Sequence, residues 1–180
     1  AIIEACSGLF IEALADTETT TKDTNFNINI EVINRSQSTA KLISVKALQL
    51  PIETKNIVLK NNEKMNFQIK NVILGDTTDY SNLFWLKEKQ TEGMYQVSDK
   101  SIRIYPEIRT KFPVVFTIEI EGKTIELVKN ICYKFNNPDD GETYVPFAVL
   151  PAVTTSIEPE VLIFNGTQSK EVTVSVKAHK

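Results

Sequence analysis

The stretch Asn137-Pro138-Asp139-Asp140 is the part of this sequence that comes nearest to a metal site. With His in the place of Asn137 it would read as a zinc-binding sequence, because zinc sites combine imidazole with carboxylate or thiolate ligands. A neutral amide oxygen is a weak zinc ligand, and the single histidine, His179, lies next to the chain end, where chains fray. Asn, Pro, Asp and Gly together also favour tight turns, so we interpret this stretch as a turn.

Other carboxylates offer two weaker candidate sites. Asp76 and Asp79, in a polar connection, could act as the acid and base of a glycoside hydrolase. Asp139, Asp140 and Glu142 could hold a calcium ion together with backbone carbonyls. In both cases we prefer the interpretation that these are solvated surface carboxylates without a catalytic or metal-binding role. Because no histidine is placed to pair with a serine or cysteine nucleophile, we predict no catalytic residue, no metal and no cofactor.

Aromatic residues give the remaining functional signal. Tyr80, Trp85 and Tyr95 cluster in and after the polar connection at 75–93, and exposed Tyr and Trp rings can stack on sugar rings. These three residues are therefore the candidate ligand-binding residues. The alternative, which we prefer, is that Phe84 and Trp85 cap an open end of the hydrophobic core.

Composition excludes several classes of protein. The chain has 180 residues, 42% of them hydrophobic, which is enough for a real core. Its 20 Lys and Arg residues against 23 Asp and Glu residues leave no basic excess for a nucleic-acid partner. No apolar run reaches membrane-spanning length. The apolar start, AIIEACSGLFIEALAD, is interrupted by glutamates and lacks a basic flank, so it is not a signal peptide, and a first residue other than Met suggests earlier processing.

Two further sequence features are open to more than one interpretation. Cys6 and Cys132 could form one disulfide, but two buried thiols are the simpler expectation. Asn34-Arg35-Ser36 and Asn165-Gly166-Thr167 match the pattern for N-glycosylation, which is common by chance.

Period-two alternation of apolar and polar residues dominates after residue 20. In NFNINIEV, residues 25–32, the apolar side chains share one face, and KLISVKALQL at 41–50 and MNFQIKNVI at 65–73 continue as strands. A hairpin is expected at 112–135, turning at Glu121-Gly122, and we expect a short strand at 94–97. This spacing predicts an all-β fold, an immunoglobulin-like or fibronectin-III-like β-sandwich.

The two ends differ from this pattern. Residues 1–15 predict a short helix to about Cys6 and then a leading edge strand, and the sandwich is expected at 16–146. Residues 147–180 predict a linker and the first strands, at 161–164 and 171–178, of a second and incomplete sandwich. So short a piece cannot fold alone. Alternatively, these strands pack back onto the first sandwich.

Four stretches together resemble a known protein family. They are IEACSGLFIEALAD at 3–16, INIEVINRS at 28–36, YSNLFWLKEKQTEGMYQV at 80–97 and YKFNNPDDGETYVPFAVLPAVT at 133–154. Their order is similar to the region that follows the catalytic domain in large bacterial PIG-L (LmbE-like) deacetylases, where a short helix leads into a β-sandwich and then a further sandwich.

The resemblance implies a non-catalytic role. The zinc loop of that family lies in an N-terminal domain, so no catalytic residue carries over, and the likeness of 137–140 to that loop is a chance one. The expected function is an accessory scaffold that packs against the catalytic domain of the same zinc-dependent, N-acetylglucosaminyl de-N-acetylase-like parent, exported to the periplasm or cell surface. The alternative is a carbohydrate-binding or cell-surface adhesion module with a glycan partner.

Overall fold

A computed structural model describes residues 2–48, 50, 53–104, 112–167 and 169–179. Two β-sheets face each other across one hydrophobic core. In spatial order, the first sheet contains β10 (Gly141–Pro146), β9 (Cys132–Asn137), β1 (Leu9–Ala15), β3 (Phe26–Asn34) and β6 (Lys64–Val72). The second contains β5 (Glu53–Leu59), β4 (Ala40–Ala47), β7 (Pro113–Ile120) and β8 (Lys123–Asn130).

Two small sheets and two short helices make up the rest of the regular secondary structure in the described residues. The helices are α1 (Ile2–Cys6) and a 3-10 turn (Phe84–Leu86). One small sheet pairs β2 (Thr19–Thr20) with β11 (Ala148–Val149), and the other pairs β12 (Val153–Glu158) with β13 (Thr173–Ala178).

Alternation along the strands builds the core, as the sequence predicts. On β3, every second side chain is buried, and its partners across the core come from β4, β7 and β8. The alternation on β4 changes phase because a bulge between Leu42 and Ser44 interrupts both of its ladders. Leu42 and Val45 therefore both point inward although three positions separate them.

The connections pass repeatedly from one sheet to the other. The consecutive strands β3 and β4 lie in different sheets, as do β5 and β6, and then β6 and β7. This exchange is typical of immunoglobulin-like sandwiches, so the predicted fold class is confirmed.

Several details of the sequence prediction are wrong. β1 is not an edge strand, because β9 returns beside it and pairs with it in parallel through Leu14 and Cys132. Residues 94–97 form no strand, since Met94 makes only an isolated bridge to Thr91 across a tight turn. Residues 161–164 form no strand either, because β12 pairs directly with β13 and leaves them in the intervening loop.

The two cysteines are free, so the disulfide is not formed. Cys6 is exposed on α1 and Cys132 is half-buried, which corrects the expectation of two buried thiols.

The core extends past residue 146, where the sequence places the domain boundary. Phe147 and Val149 are both buried, and the Phe147 ring contacts Phe26 at 4.7 Å and Phe112 at 5.4 Å between centroids. The hairpin of β12 and β13 forms no ladder with either large sheet in the described residues. That this hairpin begins a second sandwich stays a prediction.

A buried asparagine joins the connection between β3 and β4 to the end of β5. Asn34 is 2% exposed, and its Nδ2 donates to the carbonyl oxygens of Ser38 (2.9 Å) and Leu59 (3.1 Å). Its Oδ1 accepts from the backbone N–H (3.0 Å) and the hydroxyl (2.9 Å) of Ser36. The amide is fully occupied, so the 34–36 glycosylation pattern serves as a turn, whereas Asn165 is exposed in a loop.

We expect Asn34→Ala to lower the free energy of unfolding by about 3 kcal/mol, because it leaves buried backbone groups without partners. Urea denaturation followed by circular dichroism measures this. Asn61→Ala is the matched control, since Asn61 makes an exposed bond to the Ser36 carbonyl at 2.7 Å and its loss costs less than about 1 kcal/mol. Equal losses in the two variants contradict the role given to Asn34.

Candidate functional site

The Asn-Pro-Asp-Asp stretch is the turn between β9 and β10, as predicted. Asn137 Oδ1 accepts from the backbone N–H of Asp139 at 3.1 Å, and its Nδ2 donates to Asp140 Oδ2 at 2.9 Å. Gly141 comes next at φ +77°, a conformation that favours glycine. Among the described residues, no three His, Cys, Asp or Glu side chains are grouped to hold a metal ion, so the calcium hypothesis for Asp139, Asp140 and Glu142 gains no support.

The three candidate aromatic residues have different surroundings. Lys22 Nζ lies 4.4 Å from the ring centroid of Tyr80 and occupies one of its faces. Trp85 is half-buried and meets Phe84 edge-on at 4.8 Å, while Tyr95 is 58% exposed. Phe84 and Trp85 also lie outside the buried core cluster. Phe84 and Trp85 therefore do not cap the core, whereas a sugar-binding surface formed by Tyr80, Trp85 and Tyr95 stays a prediction.

The two carboxylates considered for glycoside hydrolysis, Asp76 and Asp79, lie in regions with different contacts. Asp79 forms an exposed ion pair with Lys87 at 2.7 Å, and the hydrogen bond to Asp79 raises the pKa of Lys87. Lys22 donates to the backbone carbonyl of Asp76 at 2.8 Å. The side chain of Asp79 is therefore held in a solvent-exposed ion pair, and the recorded contact of Asp76 is through its backbone.

A cavity of about 670 Å³ lies where β4 and β6 end and β7 begins. Its walls are mainly apolar, with Thr77, Thr78 and Asp79 on its polar side. The cavity has the size of a small-molecule site, which typically combines apolar walls with a few polar groups.

The most unusual polar group is one that the sequence reasoning did not single out. Glu12 is only 7% exposed although it carries a carboxylate on the outer side of β1. Lys134 Nζ donates to its Oε2 at 3.0 Å, and the Tyr144 hydroxyl donates to its Oε1. Lys134 also lies 3.7 Å from Glu142. We call Glu12, Lys134 and Tyr144 the Glu12 cluster.

The local sequence explains this placement. Lys134 and Tyr144 are cross-strand partners in the hairpin of β9 and β10, so their side chains share one face. Glu12 reaches them from β1 because β9 runs beside it. The available signal was the single charge in the otherwise apolar strand LFIEALA, since a charge in such a strand needs a partner.

The electrostatics of the Glu12 cluster favour unreactive forms. Burial lowers the pKa of Lys134, but the hydrogen bond and the charge of Glu12 outweigh burial and raise it to about 12. The hydrogen bond to Glu12 also raises the pKa of Tyr144, and burial raises the pKa of the nearby Cys132 thiol. An amine, a phenol and a thiol that all keep their protons are poor bases and nucleophiles. The cluster is therefore suited to tying β1 to the hairpin.

No protein-family model, curated protein or solved structure matched the chain in three separate comparisons. None of the helices in the described residues has the length and apolar character needed to cross a membrane.

We expect Glu12 and Lys134 to couple by about 2 kcal/mol in a double-mutant cycle of Glu12→Gln and Lys134→Met. Because the folded-state pKa of Lys134 is raised from 10.5 to about 12, this stabilisation is complete below pH 10.5 and is lost as pH rises toward 12. Urea unfolding from about pH 8 to about pH 11.5 measures it. A coupling that stays constant over this range contradicts the ion pair.

For the aromatic residues, we expect no specific binding on a glycan array, because Lys22 occupies one face of Tyr80 and Trp85 is half-buried against Phe84. Wild-type protein is compared with Trp85→Ala and Tyr95→Ala, and circular dichroism confirms that each is folded. Specific glycan binding by the wild type that is lost in either variant supports the carbohydrate-binding alternative and contradicts this expectation.

Proposed function

We propose that the chain is a non-catalytic scaffold that holds neighbouring parts of a larger protein in a fixed relation. One observation carries the proposal: the first two strands of the sandwich pair in parallel with strands near its end. β1 pairs with β9, and β2 pairs with β11. Strands distant in sequence are thus held side by side.

The exit is fixed on three sides. Leu150 N–H donates to the Thr20 carbonyl at 2.8 Å, and Ala148 N–H donates to the Glu18 carbonyl at 3.1 Å. On the other side, Val149 N–H donates to Ser81 Oγ at 2.9 Å, and Ser81 N–H donates to the Val149 carbonyl at 2.8 Å. Phe147 and Val149 anchor the same segment in the core. We call residues 147–150 the exit latch.

The contacts of the exit latch fix the position of the connection that leaves the sandwich. If residues 147–150 were solvated and made no contacts with the sandwich, they would be a linker without a fixed path. Here their backbone bonds and buried side chains hold them, and the Glu12 cluster holds β1 against β9 and β10. The sandwich therefore works as a rigid spacer between the part of the protein on the N-terminal side of β1 and the part on the C-terminal side of the latch.

The resemblance to the region after the catalytic domain of PIG-L deacetylases supports a specific partner. In this proposal, the supported neighbour is a zinc-dependent, N-acetylglucosaminyl de-N-acetylase-like catalytic domain of the same parent protein, exported to the periplasm or cell surface. The unreactive protonation states of the Glu12 cluster agree with a supporting role for this sandwich.

The spacer role predicts a narrow distance distribution between the two ends of the sandwich. One spin label is attached at the exposed Cys6 and a second at Ala152→Cys, with Cys132→Ser removing the other thiol. We expect one narrow distance by pulsed electron paramagnetic resonance. Phe147→Ala should broaden it because it removes the core anchor of the latch, whereas Val145→Ala, a change before the latch on the half-exposed strand β10, should not. A broad distribution in the labelled parent variant contradicts a rigid spacer.

The identity of the partner is tested separately. We expect the deacetylase domain of the parent protein, expressed alone, to unfold at a higher temperature when the 180-residue chain is added. Differential scanning calorimetry measures the shift. A parent without such a domain, or a domain whose unfolding temperature is unchanged, contradicts the partner assignment but leaves the spacer test independent.

A further inference from the structure

The hairpin of β12 and β13 has one apolar and one polar face. Its register places Val153 and Ile157 of β12 on the same face as Val174 and Val176 of β13. These four side chains are between 51% and 68% exposed, although alternating apolar residues normally mark the face of a strand that is buried.

The opposite face is suited to water. Ser156 pairs with Ser175, and Thr154 pairs with Lys177. The Thr154 hydroxyl also lies 2.8 Å from His179 Nε2. Since polar groups on this side need no cover, the apolar side alone lacks a packing partner among the described residues.

The hairpin is also incomplete as a sheet. An isolated two-stranded ribbon is only marginally stable in water. Neither β12 nor β13 pairs with any other strand of the described residues, so both of its outer edges are unpaired. The hairpin therefore lacks both neighbouring strands and a second layer.

The shape of the apolar face indicates the second layer. Val153, Thr155, Ile157, Val174 and Val176 are all β-branched, and such side chains form an even surface of the kind that packs against another sheet about 10 Å away. No charged side chain lies on this face. An apolar β-sheet fits it.

The apolar face is too small for a stable interface with a second, freely diffusing copy of this chain. Two six-residue strands cover roughly 20 Å by 10 Å, about 200 Å². A stable interface between separate molecules needs about 800 Å² from each partner. A sheet in the same polypeptide avoids most of the entropy cost of association, so a small face can hold it.

We propose that an apolar β-sheet belonging to the same parent protein covers the face formed by Val153, Ile157, Val174 and Val176 and completes a second sandwich. This inference rests on the proposed function, in which the chain is one module of a larger protein. The exit latch then fixes where that second sandwich starts.

Hydrogen–deuterium exchange on the full parent protein and on the 180-residue chain tests the inference. We expect the amides of β12 and β13 to exchange much more slowly in the parent. Val176→Lys should lower the parent's unfolding temperature and restore fast exchange, whereas Ser175→Lys, its neighbour on the polar face, should do neither. In the 180-residue chain, neither variant should change unfolding of the first sandwich.

Three results overturn the inference. One is equal exchange of these amides in the parent and in the 180-residue chain. Another is an equal effect of Val176→Lys and Ser175→Lys. The third is a dimer of the 180-residue chain in analytical ultracentrifugation that Val176→Lys dissociates, which assigns the face to a second copy. The distance measurement across the first sandwich is unaffected by these results, so failure here and failure of the spacer are distinguishable.

Discussion

The buried carboxylate of Glu12 constrains how the first sheet is assembled. A carboxylate removed from water is costly unless it is paired, and removing one partner of a buried ion pair typically costs about 3–5 kcal/mol. Lys134 and Tyr144 supply that pairing from two strands of one hairpin. β1 can therefore lie beside β9 only if the hairpin of β9 and β10 is in place. This dependence joins the first residues of the sandwich to the last.

Apolar burial and polar pairing make different contributions to the fold. Alternating side chains drive the two sheets together, at about 1.5–3 kcal/mol for each large apolar side chain that is fully buried. Such burial is not directional, and it does not decide which strands become neighbours. Asn34 at one end, the Glu12 cluster and the exit latch make that choice, because each requires particular partners at hydrogen-bonding distance.

The sequence predicts the features that depend on local pattern. The alternation at 25–32 identifies β3, and Asn137 to Gly141 identifies the turn before β10. It does not identify β5. The sequence of this strand, ETKNIVL, lacks an alternation of apolar and polar residues, and the strand lies at an edge of its sheet. Nor does the sequence reveal the partners of Glu12, because Lys134 and Tyr144 lie more than a hundred positions away and only the parallel return of β9 brings them close. Tyr80, Trp85 and Tyr95 are near in sequence but lie in a connection whose path no local pattern fixes.

The spacer role requires the exit latch to be part of the rigid sandwich. Native-state hydrogen exchange of the Ala148 and Leu150 amides, compared with amides in the middle of β3, tests this most directly. We predict that both latch amides exchange only through global unfolding, with the same free energy of opening as the β3 amides. Exchange through a local opening of much lower free energy would contradict this claim, because the chain would then leave the sandwich through a flexible linker.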